Sequence, residues 1–194
     1  MSLFQSVKPL LGAFLLALVS VIIFYGQFDY QGLQIEPVTW PEQPWTLVTT
    51  HLVHLNMQHL WVNVAALLII SIIFSSYYST RIFLNVFIIC AICASAFPLF
   101  LGTPISFVGL SGLLHGLYAY GAVHTLKTNR YFGALMLALL VFKLAWDLYN
   151  ANQSVAWLDG ATVAYWAHIG GAFGGVLAIP LLKRKALELL SKEE

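Results

Sequence analysis

Gly109-Leu110-Ser111-Gly112-Leu113-Leu114-His115-Gly116 heads an apolar stretch that continues to Leu126, and it sets a hydroxyl between glycines where the chain turns lipophilic. Small residues at such spacing serve close helix contacts in membranes, so packing is one reading of Ser111. A chemical reading needs other polar groups at the same depth. The rest of the chain decides between them.

The solvent follows from composition. Of 194 residues 60% are hydrophobic and 9% charged, with a mean hydropathy of +0.82, which marks a polytopic membrane protein. The net charge of +1 says little about partners beyond the bilayer, and no nucleic acid is expected. With about 20 apolar residues per crossing, the chain has room for one compact all-α bundle. Six apolar stretches are read as helices, at about 9–25, 59–77, 82–101, 110–126, 131–149 and 162–182, forming a single domain over 1–194. The first lacks a small-x-small cleavage site and is expected to be retained.

Lys and Arg gather on the cytoplasmic side of membrane helices. Lys8, Arg81, Lys127, Arg130, Lys183, Arg184, Lys185 and Lys192 fall at the termini and in the second and fourth connections, while Asp29, Glu36, Glu42 and Asp159 occupy the alternate ones. Both termini are therefore expected in the cytoplasm. Lys143, within the fifth helix, stands four residues before Asp147 and can pair with it on one helix face near the outer end, as a structural ion pair or with a part in substrate gating or ion movement. The first outer loop, 27–58, carries Pro37, Trp40, Pro41, Pro44 and Trp45, which suits the membrane interface. Cys90 and Cys93 lie inside an apolar helix and are read as packing residues.

On that topology five of the six histidines, His51, His54, His59, His115 and His168, map to the outer half of the bundle. His124 falls near the cytoplasmic end and is given no chemistry. Ser111 begins the fourth helix, His168 lies in the first two turns of the sixth, and His54, His59 and Asn63 stand at the start of the second. Burying polar groups at one membrane depth is costly, and their convergence points to function.

Gly112 and Gly116 on the fourth helix, with Gly170, Gly171, Gly174 and Gly175 on the sixth, let the two backbones approach. Ser111 then comes within reach of His168, as a serine nucleophile needs a neighbouring base. His59 and Asn63, one turn apart, can supply oxyanion donors, with the free backbone N–H groups at Ser111 and Gly112 beside them. No carboxylate is assigned to the layer of His168, so the sequence reads as a Ser–His dyad. A non-enzymatic bundle in which the histidines hold a metal or relay protons is the rival, disfavoured because no HExxH is present and no acidic residue joins the layer. No metal or cofactor is expected.

Three spaced motifs carry a family resemblance: His54-x4-His59-x3-Asn63, Gly109-x-Ser111-Gly112, and Ala167-His168-x-Gly170 followed by Gly174. Their order and depth resemble the rhomboid intramembrane serine proteases over residues 7–182. The resemblance implies a six-helix core, Ser111 as nucleophile, His168 as base and later acid, His59, Asn63 and the Ser111 N–H as oxyanion donors, and His54 and His51 as buried hydrogen-bonders. Pro44-Trp45-x-Leu47, His51-Leu52-Val53-His54-Leu55-Asn56 and Leu110–Leu117 are similar to the rhombosortase branch of Gram-negative bacteria. That likeness implies the inner membrane, a periplasmic-facing site, and substrates ending in Gly-Gly, a hydrophobic helix and a basic cluster. Cleavage of other single-span proteins is the broader alternative.

Two positions depart from the family pattern. His115 stands where many rhomboids carry an aromatic that stacks on the base, so it is expected to stack on His168 or to compete with it. Thr46 stands where many carry Arg, which leaves the anchoring of the first loop open.

Overall fold

The computed structural model describes residues 3–26, 30–102, 104–151 and 153–190, without side chains for 3–9 and 184–190. The side chains of Lys8, Asp29, Arg184, Lys185 and Lys192, used above for topology, lie outside the described residues. Among the described residues the chain is helical and has no β-strand. The helices are α1 (Leu3–Tyr25), α2 (Thr46–Thr49), α3 (Met57–Ile73), α4 (Thr80–Phe100), α5 (Ser111–Thr128), α6 (Arg130–Tyr149) and α7 (Tyr165–Leu190).

Membrane-scale apolarity is distributed unevenly over these helices. Thr80–Phe100, Arg130–Tyr149 and Tyr165–Lys183 are long and apolar enough to cross a bilayer. A fourth span arises if Thr46–Leu52 and Met57–Ile73, bent by 99° at their junction, are taken together. The described residues thus give three or four spans by length and composition, where six were expected. The shortfall at α5 has a physical reason. Its glycines, tyrosines and histidines lower its hydropathy, and it can afford them because α4, α6 and α7 enclose it, burying Gly112, Leu113, Gly116, Leu117, Ala119 and Ala122 among others. α6 is the opposite case. Leu135, Leu139, Val141, Phe142 and Trp146 are exposed along it, an apolar surface that only lipid satisfies.

The expected second helix also differs. Asn56 caps α3 by accepting from the His59 N–H at 2.8 Å, so the helix starts at Met57, and His54 sits in the bend before it. The helix ends at Ile73, followed by a 3₁₀ turn at Ser75–Tyr77.

α5 and α7 meet through bare backbone. A Cβ on Gly171 would overlap the carbonyl of Gly112, and one on Gly175 would overlap that of Gly116. The other glycine face of α7 turns to α4, where Gly170 lies against the Cys93 carbonyl and Gly174 against Cys90. Cys90 and Cys93 are free thiols, and both pack at these helix contacts. One helix thereby docks on two neighbours at van der Waals backbone distance.

The first loop is anchored without Arg at position 46. Trp45 Nε1 donates to the Gly32 carbonyl at 2.8 Å, Thr46 Oγ1 to that of Gln43 at 2.7 Å, and Thr49 Oγ1 to that of Leu33 at 2.7 Å. The Thr50 hydroxyl donates to the Phe107 carbonyl, and the Gly109 N–H to the Thr50 carbonyl at 3.0 Å, tying this loop to the approach of α5.

The glycine contact sets a test. Ala in a helix gains about 1 kcal/mol over Gly in propensity, yet overpacking against an immovable carbonyl costs about 1–3 kcal/mol. Gly171→Ala and Gly175→Ala should lower the thermal midpoint in detergent, whereas Gly32→Ala, with nothing within 4 Å, should not. Thermal unfolding of the three variants checks this.

Candidate active site

Four helix ends bring the polar groups together. Ser111 is the first residue of α5, and His168 lies in the first turn of α7. His59 and Asn63 stand in the first two turns of α3, and Asp147 is in the last turn of α6. α6 runs opposite to the other three, so its C-terminal end lies level with their N-terminal ends.

Ser111 Oγ lies 2.8 Å from His168 Nε2. The other ring nitrogen, Nδ1, lies 2.7 Å from Asp147 Oδ2. An ionised carboxylate only accepts, so Nδ1 carries the proton and Nε2 keeps a lone pair for the serine hydroxyl. The sequence reading of a dyad without a carboxylate in its layer is corrected here. Lys143 four residues before Asp147 offered a sufficient local partner, and the pair is present, with Nζ 2.6 Å from both carboxylate oxygens. What the sequence did not show was the packing of α6, whose last turn lies level with the starts of α5 and α7 and turns Asp147 to His168.

His115 stacks on His168, with centroids 4.2 Å apart and planes 17° apart. Its Nδ1 lies 2.7 Å from the Ser111 carbonyl, to which it donates along the helix. His115 therefore holds the flat side of the His168 ring, and His168 is the histidine that faces the hydroxyl.

The His59 Nδ1 and Asn63 Nδ2 atoms are buried without a hydrogen-bond partner, beside Ser111 on one cavity wall. Gly109 makes room for them. Its φ of +115° is one that residues with a side chain rarely adopt, and a Cβ there would stand 2.6 Å from the His59 ring. Gly112 likewise admits the Ala167 carbonyl, which a Cβ would meet at 2.9 Å.

The remaining histidines separate. His51 is wholly buried between the Gly109 carbonyl, at 3.2 Å, and the Ala91 carbonyl and Ser95 hydroxyl, at 3.1 and 3.2 Å. His54 is buried edge-on to His59 with ring centroids 5.1 Å apart, and its nitrogens make no well-formed hydrogen bond, unlike the role implied for it. His124 stacks on Tyr77 at the far end of α5.

A cavity of about 750 Å³ opens over the serine. Apolar side chains of α3 and α6, among them Val62, Ala66, Ile70 and Leu139, wall it. The α6–α7 loop roofs it with Trp157 and Leu158, and Asn56 holds that loop by donating to the Trp157 carbonyl and the Asp159 carboxylate, each at 3.0 Å. His115, Asp147 and His168 also offer ligand atoms within 4.8 Å of one another, a spacing a metal ion accepts. In this arrangement the Lys143 ammonium already stands at both carboxylate oxygens and would compete with a metal there.

An apolar helical bundle with a hydroxyl–imidazole pair at the edge of an open, largely apolar cavity defines an integral membrane protein with hydrolase geometry. The rhomboid domain model matches residues 41–185, and the chain belongs to the rhomboid family, the intramembrane proteases that act on membrane proteins within the bilayer. No curated protein matches it closely enough to count as a relative.

The stacking role of His115 sets a test. Phe keeps a flat face and has no basic nitrogen, and aromatic stacking is worth about 0.5–1.5 kcal/mol. His115→Phe should keep protease activity within about tenfold of wild type, and His115→Ala should lose more. Abolished activity in the Phe variant would mean that His115 handles a proton.

Proposed function

We propose that the chain is a serine endopeptidase of the bacterial inner membrane that cuts the C-terminal membrane tail from exported proteins, with Ser111 as nucleophile and His168 as base. The observation that carries the chemistry is the 2.8 Å contact between Ser111 Oγ and His168 Nε2. Supporting it are the unpartnered donors of His59 and Asn63 and the apolar walls of the cavity.

Ser111 Oγ attacks the scissile carbonyl carbon and passes its proton to His168 Nε2 as the new C–O bond forms. The carbonyl π pair moves onto oxygen, where the side-chain N–H groups of His59 and Asn63 and the Ser111 backbone N–H receive it. Collapse breaks the C–N bond, and the leaving nitrogen takes the proton from His168. Water then gives a proton to His168, attacks the acyl-enzyme and releases Ser111, which recovers that proton. The donors act in a low-dielectric pocket where each is worth more than in water.

The substrate helix approaches between α3 and α6, whose side chains already form an apolar trough. The preferred substrates end in Gly-Gly, a hydrophobic helix and a basic cluster, a class taken from the likeness of residues 44–56 and 110–117 to rhombosortases. Six crossings, both termini in the cytoplasm and a site open to the periplasm complete this reading.

Coexpression with such a tailed protein tests it. Wild type should release the shortened product, and Ser111→Ala and His168→Ala should not. Asn63→Ala should lower kcat by about 10²–10³, as loss of one oxyanion donor does. Cleavage that persists in Ser111→Ala would refute the nucleophile; equal cleavage of single-span proteins without the Gly-Gly tail would refute the substrate class.

A further inference from the structure

We propose that Asp147 is a positioning residue for the base, that it fixes the tautomer and orientation of His168, and that Lys143 balances its charge. The proposal rests on Ser111 and His168 forming the catalytic pair.

Burial makes the first part of the case. Asp147 is 5% exposed in a bundle surrounded by lipid-facing surface, and placing a carboxylate there is costly unless it is fully paired. Lys143 on the same helix is half exposed, with its side chain at the cavity. An ion pair serving only α6 could stay at that accessible edge. Instead the carboxylate reaches inward, and one oxygen, Oδ2, serves both the ammonium at 2.6 Å and His168 Nδ1 at 2.7 Å.

Geometry makes the second part. His168 is held at three points: Asp147 at Nδ1, Ser111 at Nε2 and the stacked ring of His115 on its face. With Nδ1–H committed to the carboxylate, the ring cannot present a protonated Nε2 to the serine in the resting state. When Nε2 takes the serine proton, the imidazolium gains a fixed anion at hydrogen-bond distance. Lys143 grips both oxygens, which fixes the plane of the carboxylate and tempers its field.

The two partners must then act on His168 with opposite sign. The charged or titratable groups around it are Asp147 and Lys143 on α6, His115 on α5, His59 on α3 and Cys93 on α4, the last lying against Gly170. Removing the anion should make the imidazolium harder to form and move the acid limb of the rate profile to lower pH. Removing the cation should move it to higher pH. A pair whose field did not reach the His168 ring would give no such opposition.

The experiment measures inactivation of the purified protein by a fluorophosphonate as a function of pH, in wild type, Asp147→Asn, Lys143→Gln and Ser111→Ala. Asp147→Asn, close in shape, should lower the maximal inactivation rate by about 10²–10⁴ with little change in the half-saturating concentration, because an amide N–H stabilises the wrong tautomer. Its acid limb should fall and that of Lys143→Gln should rise. Wild-type rate and limb in Asp147→Asn overturn the proposal. If Asp147→Asn does not fold, an unshifted limb in Lys143→Gln overturns it. Reaction of Ser111→Ala at the wild-type rate instead sinks the underlying assignment of the nucleophile.

Discussion

The approach of α5 to α7 is the constraint on which the site depends. Gly112 and Gly116 face Gly171 and Gly175 with no side chain between the backbones, and this brings the starts of two helices close enough for a serine and a histidine to share a proton. In lipid no hydrophobic force draws helices together, so close packing and interhelical hydrogen bonds must do so. Both are present at this contact. The glycines lower the steric barrier, and the Ser111–His168–Asp147 chain links α5, α7 and α6 by polar contacts that lipid cannot replace.

The same contact explains how a weakly apolar helix sits at the centre of the bundle. α5 carries Ser111, two histidines and several glycines because its neighbours shield it, whereas α6 offers its apolar side to the surroundings. Around Ser111 the loops repeat this division of labour. Trp45, Thr46, Thr49 and Thr50 lock the first loop to backbone carbonyls, and Asn56 both caps α3 and holds the loop that roofs the cavity. His59 Nδ1 and Asn63 Nδ2 are left buried without partners, on residues that line the same cavity as Ser111.

Much of this was legible in the sequence because it is written in short-range spacing. Glycines four apart report a helix face, and a serine and a histidine at the heads of two parallel helices report a common depth. The role of Asp147 was hidden because an adequate partner, Lys143, stands four residues away and satisfies a local reading. Only the packing of α6 shows that one carboxylate oxygen has a second use. The 99° bend before α3 falls in what the sequence offers as the end of the outer loop, where the short helical turns before it leave no periodic signal, and the capping by Asn56 sets the start of α3. His115 was legible as an alternative because a helical side chain at that position can stack on a base or replace it, and in the fold its ring stacks on His168.

Peptide-mapping mass spectrometry of the protein after saturation with a fluorophosphonate tests the central claim most directly. A single phosphonylated residue, Ser111, formed in wild type and absent from His168→Ala under the same exposure, is the predicted result. An adduct on any other residue, or equal modification of Ser111 when His168 is replaced, would contradict the account.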